Sequence, residues 1–128
     1  MVKAIFTFDT MQGIIEMRVQ GHADFDELGK DPVCAGASVL AFTAAQCIDC
    51  IDQKHGFEEK PVIHIAGGNV RVQCRPRDGF FAETMMVFNV ISVGMQLLAN
   101  KYPDHVRLIP FEAAEADSIK DSSTSRTD

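Results

Sequence analysis

A change of hydrophobic period separates two neighbouring stretches of this sequence, and it limits the folds open to the chain. Residues 14–21 alternate: Ile15, Met17 and Val19 share one face, and Glu16, Arg18 and Gln20 share the other. That is the period of a half-buried strand. From Val33 to about Lys54 the apolar residues recur with helical spacing, and Val33, Leu40, Ala44, Ile48 and Ile51 form the expected stripe. Asp31-Pro32 stands just before it, an N-cap residue followed by proline at the first helical position, and Gly56 closes it. A chain that switches from strand to helix in this way packs helices on a sheet.

The remaining segments repeat the order. Residues 3–9 alternate weakly and Met11-Gln12-Gly13 is a hairpin turn. Residues 61–66 and 70–74 read as strands joined by Gly67-Gly68-Asn69. A second helix is expected over 80–100, stopped by Pro103, and a short strand over 105–109. The expected fold is α+β, a mainly antiparallel sheet with two long helices packed on one face, in the order β-β-α-β-β-α. Asn89, Ser92, Gln96 and Asn100 give the second helix only a narrow polar stripe. One packed face cannot bury the rest, so this helix is expected to meet a second surface. Residues 1–111 form the expected single domain, and 112–128, rich in Ser, Thr and charge, the expected disordered tail.

With 128 residues the chain has enough length for a domain with its own core. Its formal net charge of −6 argues against direct nucleic-acid binding and suits a basic partner. No apolar run is expected to reach the roughly 20 residues that span a bilayer. Met1-Val2-Lys3-Ala4-Ile5 reads as a strand rather than a signal peptide. The expected location is therefore cytoplasmic, without a membrane partner, and Cys34, Cys47, Cys50 and Cys74 are expected to be thiols.

The chemistry concentrates in Gly21-His22-Ala23 and in the run from Gly29 to Ser38. Counted from Asp31 as N-cap, Cys34 is the third helical residue. A thiol there meets the unpaired first-turn amides and the positive end of the helix dipole, which favour thiolate, the reactive form. A neighbouring histidine lowers a thiol pKa further when protonated and can serve as acid to a leaving group. Ser38 lies one turn beyond Cys34 on the same face and can support thiolate or imidazole. At 100° per residue, Ala41 and Ala45 also fall near the direction of Cys34, which leaves room beside it. His22 shares the parity of the polar face of its strand, so a regular strand would point it away from the core. The acidic loop Asp24, Phe25, Asp26, Glu27 reads either as a solvated surface loop or as a substrate gate that bends at Gly29.

The pattern Gly-His-Ala, five residues, Gly-x-Asp-x-Val-Cys-Ala-x-x-Ser, spanning 21–38, resembles the ribosomal-processing cysteine protease (Prp) family, and the order of elements is similar to about residue 109. The resemblance implies that His22 and Cys34 form the catalytic dyad. It further implies a homodimer that removes the N-terminal extension of a basic large-subunit ribosomal protein, number twenty-seven in the usual series. Neither a metal nor an organic cofactor is expected. Asp31 is expected to cap the helix, with a second task of orienting His22.

Other readings compete. Cys47-Ile48-Asp49-Cys50 has the spacing of a redox or zinc pair, but it lies deep inside a helix and lacks partners at a recognised spacing. Gly67-Gly68 has no helix start after it, as a phosphate loop would. The rival functions are a non-catalytic ribosome-assembly module and another thiol-dependent hydrolase.

Overall fold

The computed structural model describes residues 1–27 and 29–111. The expected tail, 112–128, lies outside the described residues. The elements run β1 (Val2–Asp9), β2 (Ile14–Gln20), α1 (Pro32–Gln53), β3 (Val62–Ala66), β4 (Asn69–Cys74), α2 (Phe81–Lys101) and β5 (Val106–Ile109), with a 3-10 turn at Asp78–Phe80 leading into α2. The α+β expectation holds: the five strands form one sheet in the order β3-β4-β2-β1-β5, antiparallel except where β5 joins β1 in parallel.

The alternation in β2 sets the register. Ile15, Met17 and Val19 are buried under the helices, beside Ala4 and Phe6 of β1 and Val70, Val72 and Cys74 of β4. Glu16 and Arg18 face the other side, where the Glu16 carboxylate pairs with Arg71 at 2.6 Å and Arg18 at 3.3 Å. The first hairpin turns where expected. The Asp9 carboxylate accepts the amides of Met11 and Gln12, and Gly13 takes a left-handed φ of 71°.

Helix α1 begins at the expected cap, but its buried stripe differs from the one read in the sequence. Ala37, Ala41 and Ala45 join Val33, Ala44, Ile48 and Ile51 in the core, while Leu40 is only half-buried. The reason is the close approach of the two helices. A Cβ on Gly94 of α2 would lie 2.6 Å from a Leu40 methyl, and one on Gly36 would lie 3.5 Å from Leu98. Leu40 is spent on the helix–helix contact, and the alanines let α1 sit near the sheet.

The expectation about apolar runs needs correction. Both helices are long and apolar enough to cross a membrane by length and composition. Here they lie on the sheet: α1 buries the stripe just named, and α2 buries Thr84, Phe88, Ile91 and Met95. A second stripe on α2 remains uncovered, since Met86, Val90, Val93 and Leu97 are 62, 59, 60 and 66% exposed. At the far end of the domain, buried Phe111 packs against Phe6 and Phe88, with ring centroids 5.3 and 6.3 Å apart.

Candidate active site

Gly21 ends the alternation of β2. Its φ is 93°, and a Cβ there would run into the carbonyl oxygen of Met1. Its amide donates to Gly68 O at 2.8 Å, so the chain leaves β2 beside the β3–β4 turn. This left-handed step, open to glycine and strained for other residues, redirects the chain at His22. His22 therefore escapes the solvent-side direction that strand parity assigned it. It lines a cleft of about 420 Å³ on the helix side of the sheet, together with Cys34, Ser38, Ala37, Ala41, Phe42, Ile65 and Gly67. The ring lies over Gly68, where a Cβ would come within 2.8 Å of Nε2. Within the cleft, Cys34 is half-buried and His22 exposed.

The start of α1 is organised by one carboxylate. Asp31 is buried, and its Oδ1 accepts the amides of Val33 at 2.9 Å and Cys34 at 3.1 Å, while its backbone carbonyl takes that of Ala35. Its Oδ2 accepts the amides of Phe25 at 2.9 Å and Asp26 at 3.1 Å. Burial acts to raise the Asp31 pKa. The amides of Cys34, Asp26, Phe25 and Val33 outweigh it and hold the carboxyl below its ordinary value. Asp31 is thus the expected cap, and both of its oxygens are occupied by backbone. What it orients directly is the loop after His22.

This arrangement changes the electrostatic argument for the thiol. The first-turn amides, Cys34 N–H among them, are taken up by Asp31 and do not point at sulfur. The donor that reaches Cys34 Sγ is the Ala23 N–H, at 3.1 Å. Ala23 is buried, and Asp24 follows with a left-handed φ of 56°. Asp24, Asp26, Asp31, His22 and Cys34 surround a second recess of about 210 Å³ on the loop side of the thiol.

The loop residues are not alike. Phe25 packs edge-on against Tyr102 and His105, with centroids 5.1 and 5.3 Å away. Asp24 meets the terminal ammonium at 3.6 Å, and Glu27 meets Lys30 at 3.8 Å, both at the surface. Gly29 has a φ of 89°, as a bend requires. Tyr102, His105 and Gly68 carry no sequence pattern that marks them as site residues. Gly68 reads as a turn glycine, and His105, 82 residues from Ala23, carries no local signal.

The other cysteines stay apart from this cleft. Cys47 and Cys50 are free thiols within α1, and Cys74 is buried on β4, its pKa pushed up to about 12 by burial. Among the described residues no three His, Cys, Asp or Glu side chains are grouped to hold a metal ion.

Comparison with known proteins gives the chain its relatives. The family model for the cysteine protease Prp matches residues 1–107. The ribosomal processing cysteine protease Prp of Staphylococcus aureus is 26% identical over 108 residues, covering 84% of this chain and 97% of its own. A crystal structure of the S. aureus ribosomal processing protease Prp with a covalently linked product peptide superposes with a TM-score of 0.67 at 28% identity, covering 85% of this chain and 98% of the other. A Streptococcus mutans protein of solved structure shares the fold, with a TM-score of 0.61 at 20% identity over 87% of this chain and 94% of its own.

Proposed function

The chain belongs to the Prp family of cysteine proteases, and from that premise we propose that Cys34 is the nucleophile and His22 its acid–base partner in cutting the N-terminal extension from a ribosomal protein. The observation that carries the reading is the shared cleft, where the half-buried Cys34 and the ring of His22 face the same space and Ala23 N–H bonds the sulfur.

His22 takes the Cys34 proton, and the thiolate attacks the scissile carbonyl carbon. The C–N bond then breaks as the imidazolium returns the proton to the leaving amine, leaving a thioester on Cys34. His22 next takes a proton from water, whose oxygen attacks the thioester. The C–S bond breaks and the new carboxyl end departs, with thiolate and imidazolium restored. The sequence needs no metal or organic cofactor. Ser38, one turn along the same wall, supports the pair. The exposed carboxylates of Asp24, Asp26 and Glu27 attract a basic substrate such as the large-subunit protein numbered twenty-seven, and the loop that bears them gates the cleft. The setting is the cytosol, where the thiol stays reduced.

The test is incubation with a peptide spanning the extension and the mature start of that ribosomal protein, followed by mass measurement. The full chain should yield two fragments. Cys34→Ala and His22→Ala should each lose at least about a thousandfold in turnover while remaining folded. Substantial cleavage by Cys34→Ala protein would end the nucleophile assignment.

The enzyme works as a homodimer. The support is the exposed stripe of Val90, Val93 and Leu97 on α2, continued by Val39 on α1, an apolar face unusual for a monomer. Sedimentation at micromolar concentration should give the dimer mass for the full chain. Joint replacement of Val93 and Leu97 by Glu should give the monomer. A monomeric wild-type chain would rule the dimer out.

A further inference from the structure

Ala23 is held from two directions. Its N–H donates to Cys34 Sγ at 3.1 Å, and its carbonyl oxygen lies 2.7 Å from His105 Nδ1. A carbonyl can only accept, so Nδ1 carries the hydrogen, in the neutral ring as in the charged one. His105 is itself fixed. Its N–H donates to Tyr102 O at 2.9 Å, its carbonyl accepts the amide of Val2 at 2.9 Å, and the ring of Phe25 stands edge-on to its own. The next residue, Val106, begins β5, so the anchor is built into the sheet edge.

We propose that His105 is a positioning residue for the nucleophile: by donating to the Ala23 carbonyl it holds the Ala23 N–H on the Cys34 sulfur, where that amide stabilises the thiolate. The proposal deepens the assignment of Cys34 as nucleophile and rests on it. Its physical ground is the state of the helix start. Asp31 occupies the first-turn amides and adds a carboxylate, and Asp24 and Asp26 line the same recess. Negative charge on sulfur is opposed by these three carboxylates. It is favoured by the imidazolium of His22 and by the Ala23 N–H, while the terminal ammonium lies against Asp24. A hydrogen bond to the charged form lowers a pKa only while its donor is aimed, and the Ala23 backbone is aimed from its carbonyl side by a residue 82 positions away in sequence.

The test follows the rate of iodoacetamide alkylation of Cys34 against pH, read by mass spectrometry in the full-length chain, beside peptide cleavage. His105→Phe keeps a ring for Phe25 and removes the donor. His105→Asn restores an N–H at similar reach. The phenylalanine variant should move the alkylation midpoint up by about half a pH unit or more and lower kcat/KM about tenfold, mostly through kcat. The asparagine variant should return the midpoint to the wild-type value and kcat/KM to within about twofold of wild type. If His105→Phe fails to fold, His105→Ala takes its place in the same comparison. An unmoved alkylation profile in the donorless variant, or equal impairment of His105→Asn, overturns the role of His105. Cys34→Ala protein runs alongside: cleavage retained there defeats the nucleophile assignment itself, a result distinct from either of these.

Discussion

The two walls of the cleft are held by opposite means. On the α1 wall, polar groups are paired: Asp31 ties four amides, Ala23 N–H meets the sulfur, and His105 meets the Ala23 carbonyl. On the facing wall, β3 is the edge strand of the sheet, every one of its residues is exposed, and the turn that ends it is Gly67-Gly68. There His22 is accommodated by an absence, the missing Cβ of Gly68. The lesson is a division of labour. The thiol sits on a wall where side-chain and backbone hydrogen bonds over-determine the geometry, and the imidazole lies against a wall where one backbone hydrogen bond, Gly21 to Gly68, and the missing Cβ leave it room. Exposed edge strands are also where an extended peptide can add backbone hydrogen bonds.

Three experiments put that contrast at risk. The largest effect is expected at Gly68. Alanine there must adopt a φ of 71° and brings its Cβ within 2.8 Å of the imidazole. Gly68→Ala should cost about 1 kcal/mol of stability from the backbone strain and tenfold or more in kcat/KM from displacing His22. Denaturant titration and peptide cleavage measure the two; wild-type cleavage would show that the ring has another resting place.

The next effect is at Asp31 and depends on pH. Its folded pKa lies below the unfolded value, so its contribution to stability is complete above the unfolded carboxylate value of about 4 and fades as pH falls through the lowered folded one. Asp31→Asn should therefore melt several degrees below wild type at neutral pH, and the gap should narrow as the pH drops below about 4. A constant gap across that range would mean that the carboxylate charge contributes nothing beyond its shape.

The smallest effect concerns motion. If residues 23–30 gate the cleft, their amides in Cys34→Ala protein should exchange with solvent faster without peptide than with it, while amides deep in α1 stay unchanged. The paired amides of Phe25 and Asp26 should be the slowest of the loop. Equal, slow exchange in both samples would show a preformed wall and remove the gate.

Much of the architecture was legible because local patterns report on local structure. The alternation of Ile15, Met17 and Val19, the Asp31-Pro32 start and the narrow polar stripe of α2 correspond to a buried strand face, a helix beginning at Pro32 and an uncovered apolar face. Residues His22 and Cys34 could be named together from their motif. Their arrangement could not. Strand parity sent His22 outward, and the reversal depends on Gly21 meeting Met1 and Gly68, partners from two other strands' ends. An Asp31 cap implied that its side chain would take first-turn amides, yet that its second oxygen would tie down Phe25 and Asp26 was not legible. Leu40 belonged to the core stripe by period and was claimed by α2 through Gly94. Periodicity and capping act within a few residues of one another, so the elements could be read along the chain, and the motif put His22 and Cys34 forward as candidates. Which donor reaches the sulfur, what holds that donor, and where the imidazole rests are contacts between segments up to 82 residues apart, and they exist only once the helices are packed on the sheet.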